Sequence, residues 1–479
     1  MTRIFVFRRD LRIHDNHGLN TLLTDIRNTH DSMLPVFIFN PQQIEPVHNK
    51  YFSNSSVQFM IESLIDLKRE LPSLRFFYGL DTEVVNLIKS REHITHVYYN
   101  VDFTPFARKR DTILKQWCFL NSIEAVPCET DYSFVHIQTM LKPYQVFTPF
   151  FNKYSRDTVV PEPVTCIIDK RPLNIKKFQK EIGLDKVQSF YKENKNIIVR
   201  GGRSEGVAIL RHIKEKTFKN YSINRDFPSD INGTTMLSAY LKYGCISIRE
   251  AYHAIQSTHN NKHPLIRQLF WRVFYDQICW WFPRVLNGMD STKNKHIVNK
   301  SLREKYDNIK WANVKSKETQ ARYKAWTQGT TGFPIVDAGM RQMLQTGWMH
   351  NRVRMVVASF LVKDLHIDWR EGEAHFSRTL VDIYHPSNNG GWQWASGSGA
   401  DSQQYNRIFN PWLQSAKYDP DAIYIKRWIP ELHDVPSKVI HKWQLLAGEW
   451  ETRTKYPRPI VNHKQASTTA LALYKKALY

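Results

Sequence analysis

The chain predicts a fold in two parts, an N-terminal α/β domain and a larger all-helical domain, with a long connector between them. Three observations predict it. Short apolar runs alternate with helically periodic stretches over residues 1–130. Residues 131–202 lose that alternation and are broken by Pro143, Pro149, Pro161, Pro163 and Pro172. Over residues 203–479 the periodicity is helical almost throughout. A length of 479 residues also exceeds what one hydrophobic core usually carries.

Taken in order, residues 3–7, 34–39, 74–78, 96–99 and 125–127 read as strands, with helices over 59–67 and 108–120. That alternation implies a mostly parallel sheet covered by helices, Rossmann-like in its layering. No G-x-G-x-x-G follows the first strand, so the dinucleotide fingerprint is absent. Arg8, Arg9, Asp10 and Arg12 leave that strand at its C-terminal end, where open sheets place ligands. A structural salt-bridge cluster accounts for them equally well. The connector, in which Lys and Asn accumulate toward Asn196, reads as a link wrapped on the surface. Beyond it, 204–216, 237–257, 264–281, 333–345 and 352–365 read as helices, and no repeat period is present.

Composition narrows the class. Lys and Arg exceed Asp and Glu by 67 − 45 = 22, which favours a polyanionic partner, most often nucleic acid, with solubility alone as the bland account. Fourteen Trp and twenty-six Phe need buried sites or flat ligands. No apolar run approaches the roughly 18 residues of a membrane span, and the opening MTRIFVFRRDLR does not read as a signal peptide. Cys118, Cys128, Cys166, Cys245 and Cys279 are scattered without C-x-x-C spacing, which argues against zinc or a disulfide framework and for a reducing compartment. Cytoplasm is the expectation in a bacterium, with the nucleus open in a eukaryote, for a monomer without a metal.

The chemistry concentrates in residues 347–405, which combine tryptophans, Arg and Asp in apolar surroundings, and an Asn-Asn-Gly-Gly stretch. Such a set suits a flat aromatic cofactor and a flat aromatic substrate rather than hydrolysis. Thr234, Thr235, Leu237 and Ser238 open a helical stretch, where hydroxyls and free N–H groups suit a pyrophosphate; plain N-capping explains them equally well. Gly390-Gly391 lets backbone approach a ring system, and Asn388 can both donate to and accept from a ring nitrogen. Arg354 and Asp382 read as a buried pair that tunes a site or braces the scaffold. Trp271 and Trp394 could wall a slot for flipped-out bases, worth roughly 1–3 kcal/mol of stacking per base, or could be core tryptophans. Arg225, Arg272, Arg352 and Arg407 stand near as phosphate grips, with Asn351 able to reach a base edge.

At these residues the chain resembles the photolyase/cryptochrome family, and most closely the class I cyclobutane pyrimidine dimer photolyases. The resemblance runs from Phe7-Arg8-Arg9-Asp10-Leu11-Arg12 through Tyr221-x-x-x-Arg225-Asp226-Phe227-Pro228, residues 327–340, 347–373 and 388–394, Arg407-Ile408-Phe409-Asn410-Pro411 and residues 456–463. It implies one non-covalent FAD in the helical domain, active as FADH⁻, held by Tyr221, Thr234, Thr235, Leu237 and Ser238. Asn388 would face flavin N5, with Arg354, Asp382 and Tyr384 beside the isoalloxazine. It further implies light-driven repair of pyrimidine dimers in DNA by electron donation, with Trp271, Trp394, Asn351, Arg352 and Met355 lining the lesion pocket. Trp392 and Trp369 would be proximal and middle members of an electron-transfer chain.

Asn351 and Met355 stand where (6-4) photolyases carry histidines, which favours dimer repair. Four positions depart from the dimer-photolyase pattern. Gln268 replaces a glutamate three residues before the pocket tryptophan, Tyr384 replaces a second aspartate, and the distal chain tryptophan falls near Ser316, with Trp311 offset. Ala107 replaces the acidic residue of folate-binding members, which weakens the case for methenyltetrahydrofolate as antenna and leaves a deazaflavin, FMN and an empty site as the other readings. A cryptochrome-type photoreceptor and a (6-4) photolyase are the alternative functions; the short helical stretch after Lys464 argues against the extended tail many sensors carry.

Overall fold

The computed structural model describes residues 1–168, 177–215, 218–260, 262–289, 298–401 and 404–479. Pro172 and Lys216, named above, lie outside them. Five strands, β1 (Thr2–Phe7), β2 (Ser32–Phe39), β3 (Arg75–Tyr78), β4 (Ile94–Asn100) and β5 (Glu124–Cys128), form one sheet in the order β3-β2-β1-β4-β5. All four pairings are parallel. Both faces are covered: Ile4 and Val6 enter one apolar cluster while Phe5 and Phe7 enter another, the period of two that a doubly buried strand shows. Strand order reverses beside β1, so a crevice opens at its C-terminal end.

The charges leaving β1 divide between the two readings. Arg12 pairs with Asp131 at 2.7 Å and donates to the Gly244 carbonyl at 3.1 Å, while Arg249 pairs with Asp15 at 2.8 Å. This buried cluster ties the sheet to the connector and the helical part. Arg8, paired with Asp81 at 2.8 Å and Asp111 at 3.1 Å, lines the crevice instead, as does Arg9, paired with Asp102.

The connector differs from the surface strap expected. Phe134, Ile137, Phe147 and Phe150 are buried in the same cluster as the sheet and the first half of the helical part. The reason is a helix at Phe147–Asp157, whose Phe147, Phe150 and Phe151 fall at i, i+3 and i+4 and so share one face. Prolines punctuate the segment without keeping it out of the core.

The helical part also departs locally from expectation. The stretch 237–257 forms two helices, Ser238–Tyr243 and Ile248–His259, parted at Gly244. Gly244 has φ +64°, and a Cβ there would lie 2.3 Å from the Arg9 carbonyl oxygen, so this turn must be glycine for the two parts to meet. Ser247 then caps the second helix with Glu250 in a capping box. The stretch 352–365 is Asn351–Ser359 followed by a π-type turn, Phe360–Asp364. Helices Pro264–Trp281 and His385–Ser396 pack together and carry most of the site.

Candidate functional site

Three chain segments build the first half of the site. Arg354, on helix Asn351–Ser359, donates through Nη2 to both Asp382 oxygens at 3.0 and 2.9 Å and through Nε to the Met349 carbonyl at 2.7 Å. Ser238 Oγ donates to Asp382 Oδ2 at 2.7 Å. A buried carboxylate is costly unless hydrogen-bonded as well as paired, and Ser238 meets that need. One residue set thus joins the start of helix Ser238–Tyr243 to the segment before helix His385–Ser396.

Asn388 is held more tightly than its type alone reveals. Its Nδ2 donates to the Glu373 carbonyl and to Ser377 Oγ, each at 3.1 Å, which leaves Oδ1 as the end that accepts. Behind it Asn389 donates to Glu373 Oε1 at 2.9 Å and Asn299 to Oε2 at 2.7 Å, and burial pushes the Glu373 carboxyl up to about 7. Gly390 and Gly391 play different parts. A Cβ on Gly390 would meet the Tyr275 ring at 2.1 Å, so that glycine admits a protein ring rather than a cofactor, whereas a Cβ on Gly391 would meet nothing within 4 Å.

The residues present fit a dinucleotide. Thr234 Oγ1 and Arg225 Nε are buried without a hydrogen-bond partner among the described residues, a hydroxyl and a cation suited to a phosphate. The Arg225 guanidinium lies 5.7 Å from the Tyr221 ring centre. Thr235 Oγ1 accepts from the Leu237 N–H at 3.3 Å, so Thr235 shapes the turn.

The second half faces outward. Trp271 is partly exposed, and Phe147 of the connector lies flat on one face at 3.7 Å with planes 3° apart. Only its other face is left for a ligand. Tyr275, one turn on, touches Gly390, and Trp394 stands one turn beyond Gly390 on its own helix. Gln268 is half-buried, Asn351 is exposed, and Asn351 Nδ2 lies 3.8 Å from Met355 Sδ on the same helix face. Arg407 is exposed; Arg352 pairs with Asp226 at 2.6 Å and covers the Tyr418 ring at 4.3 Å.

Two expectations are corrected. Arg272 does not stand among the phosphate grips: its guanidinium lies 3.7 Å over the Tyr384 ring and donates to the Leu241 carbonyl at 3.1 Å. Tyr384 does not turn its hydroxyl toward the Asn388 face of the site. It donates to Asp276, accepts from Arg9 Nη2 at 3.3 Å, and the Asp276 carboxyl is pushed up to about 6 by burial. A phenol is longer than the carboxylate it replaces and reaches this network between the two parts of the chain. Trp392 and Trp369 are both buried, at 2% and 1% exposure. Sequence reasoning passed over Phe147, Glu373, Asp276 and Trp326; the aromatic spacing at 147–151 was the one usable signal.

A cavity of about 760 Å³ lies in the crevice at the sheet's C-terminal ends. Arg8, Arg9, Asn40 and Ala107 line it on one side and Tyr384 and His385 on the other. Lys242, whose ammonium burial pushes down to about 7, also borders it. Among the described residues no group of three or more His, Cys, Asp or Glu could hold a metal, and no helix is long and apolar enough to cross a membrane.

An open parallel sheet followed by a helical half that cradles a dinucleotide defines the photolyase/cryptochrome class. Residues 3–166 match the family described as DNA photolyase, and residues 265–476 match the FAD binding domain of DNA photolyase. The chain is 34% identical to a deoxyribodipyrimidine photo-lyase of Alkalihalophilus pseudofirmus, over 98% of this chain and 97% of that one. Its structure is similar to an archaeal photolyase from Sulfolobus tokodaii solved with two FAD molecules (TM-score 0.82, 36% identity, 99% of this chain and 100% of that one). It is also similar to a class III photolyase from Agrobacterium tumefaciens (TM-score 0.86, 30% identity, 99% and 97%). The chain belongs to the DNA photolyase family, and FAD is its cofactor.

Proposed function

We propose that the protein is a lyase that uses light to split cyclobutane pyrimidine dimers in DNA. When bound in its fully reduced form, FAD would supply, on absorbing light, the electron that splits the dimer's C5–C5 and C6–C6 bonds and is then recovered. Thr234 and Ser238, with Tyr221, Thr235 and Leu237 around them, would hold its phosphates and ribityl chain, and Arg225, expected among the DNA-phosphate grips, would serve a cofactor phosphate through its buried Nε instead. Asn388, with its Nδ2 already occupied, would offer Oδ1 to the isoalloxazine, and the Arg354–Asp382 pair would lie beside it. Trp271 and Trp394 stack the flipped bases, Gln268 and Asn351 donate to their carbonyls, and Met355 fills the wall; Arg352 and Arg407 grip phosphates. One observation carries this reading: a single helix, His385–Ser396, holds both Asn388 and Trp394, so the flavin-facing and base-facing groups share one rigid element. The absence of a second histidine at Asn351 and Met355 favours the dimer over the (6-4) lesion.

The 760 Å³ cavity is the site for an antenna. A deazaflavin or a flavin fits better than methenyltetrahydrofolate, because Ala107 offers no carboxylate to a pterin. The protein acts as a monomer where DNA is kept, in bacterial cytoplasm or a eukaryotic nucleus. Illumination of reduced protein with dimer-containing and (6-4)-containing DNA, each lesion assayed separately, tests the assignment. Loss of the dimer alone is expected. Loss of the (6-4) lesion alone would move specificity to Gln268, and loss of neither would make the protein a light sensor.

A further inference from the structure

The third tryptophan of an electron-supply chain is missing from its place, and the rings around Trp392 show what stands in for it. Trp392 lies four residues beyond Asn388, hence one turn from it on the same helix face. Its ring meets Phe376 at 4.9 Å and Trp326 at 6.1 Å. Trp326 is fully buried, and its indole N–H donates to the Val357 carbonyl at 3.1 Å. One turn earlier on helix Lys317–Gln328, Tyr323 stacks on Trp326 at 6.0 Å with planes 21° apart, and it is partly exposed. Three oxidisable rings in contact therefore run from beside Asn388 to the surface.

The surroundings favour this row. His375 lies 5.3 Å from Trp326, and burial pushes its imidazole down to about 4, so that ring is neutral at neutral pH; Arg378 is the cation beside it and beside Tyr323. On the other branch the Arg370 guanidinium covers the Trp369 ring at 4.7 Å. Beyond it Ser316 occupies the third tryptophan's place, and its hydroxyl accepts from the Thr319 N–H at 3.2 Å as a helix cap.

We infer that Trp392, Trp326 and Tyr323 form an electron-supply route to the flavin, with Tyr323 as the terminal donor. Trp392 gives one electron to the photo-excited oxidised flavin and is refilled by Trp326. Trp326 is refilled by Tyr323, whose phenol donates to the Glu371 carbonyl at 3.2 Å and, being partly exposed, loses the electron and passes its proton from that bond to solvent. An external thiol then returns one electron and one proton to Tyr323 and pairs with a second thiol radical as a disulfide. The inference rests on the functional reading only for the cofactor.

The test uses the full-length, FAD-loaded, oxidised protein with ring-deuterated tyrosine, frozen under blue light and read by electron paramagnetic resonance. A tyrosyl radical that narrows on deuteration is expected in the unsubstituted protein and in Trp369→Phe, and is expected to be lost in Tyr323→Phe and Trp326→Phe. Its absence from the unsubstituted protein, its survival in Tyr323→Phe or Trp326→Phe, or its loss in Trp369→Phe would each overturn the route. Chemically reduced Tyr323→Phe should still split dimers in light as the unsubstituted protein does. If neither splits dimers while the tyrosyl signal behaves as stated, the repair reading falls and the route stands.

Discussion

Single positions carry much of the site's geometry. Gly372 is one: a Cβ there would lie 2.1 Å from the Trp392 ring, inside a core with no room to yield. Gly372→Ala should therefore destabilise the protein by about 1–3 kcal/mol through overpacking and displace Trp392; urea unfolding and the rate of flavin photoreduction check it. Lys363 is another. It is buried over the Tyr474 ring, 3.4 Å away, and desolvation pushes its ammonium from 10.5 down to about 7. Below the folded value both folded and unfolded chains hold the proton, so the folded chain bears the whole burial penalty. Between 7 and 10.5 the unfolded chain binds more protons, so stability rises with pH. Lys363→Met should raise the melting temperature at pH 6 and lose that advantage progressively toward pH 10. An advantage independent of pH would refute the assignment. The Arg354–Asp382 pair was legible at this scale because Arg and Asp in apolar surroundings require each other. Ser238 as the third member was not, because its sequence neighbours explain it equally well as a cap.

Elements were legible where periodicity is strong. All five strands and the helices Pro264–Trp281 and Pro334–Thr346 fall within a few residues of their expected places, because a short continuous apolar run marks a strand buried on both faces and a 3.6-residue stripe marks the buried side of a helix. The connector was misread because prolines punctuate it more loudly than its aromatic stripe. Its helix Phe147–Asp157 packs on helix Pro264–Trp281, and Arg267 clamps the pair by lying over Phe147 at 4.7 Å and Phe151 at 4.6 Å. The connector thus backs Trp271, whose ring Phe147 covers on one face. Phe147→Ala should cost about 3–5 kcal/mol of stability. The milder Phe147→Leu should fold yet weaken binding of dimer-containing DNA while leaving undamaged DNA unaffected, in a gel-shift comparison. Equal weakening of both would assign Phe147 to the scaffold alone. Tyr384 failed for a different reason: sequence gives the residue type but not the direction in which a longer side chain finds a partner.

Over the whole molecule the formal charge of +22 sets how any nucleic acid is met. Affinity should fall linearly with the logarithm of salt concentration, as counterions are released from phosphates. Removing the exposed Arg407 by substitution with alanine should reduce that slope by about 0.9 and weaken damaged and undamaged DNA alike. Gln268→Ala should leave the slope unchanged and weaken only damaged DNA. Titration at several salt concentrations separates the two, and identical behaviour would remove the distinction between gripping and reading. The net charge pointed to a polyanion, but which arginines face it depended on tertiary contacts: Arg272 is drawn inward by Tyr384, as no composition could reveal.

Helix His385–Ser396 begins at the wall of the crevice cavity and carries Trp394, the residue proposed to face the lesion, in its last turn. Its twelve residues make a rod of about 18 Å. A pigment in the proposed antenna cavity and a lesion against Trp394 would therefore be spaced by covalent geometry rather than by the way two bodies happen to dock. Excitation passed from such a pigment to a flavin beside Asn388 should decay with one lifetime in every molecule of a sample, not with a spread of them.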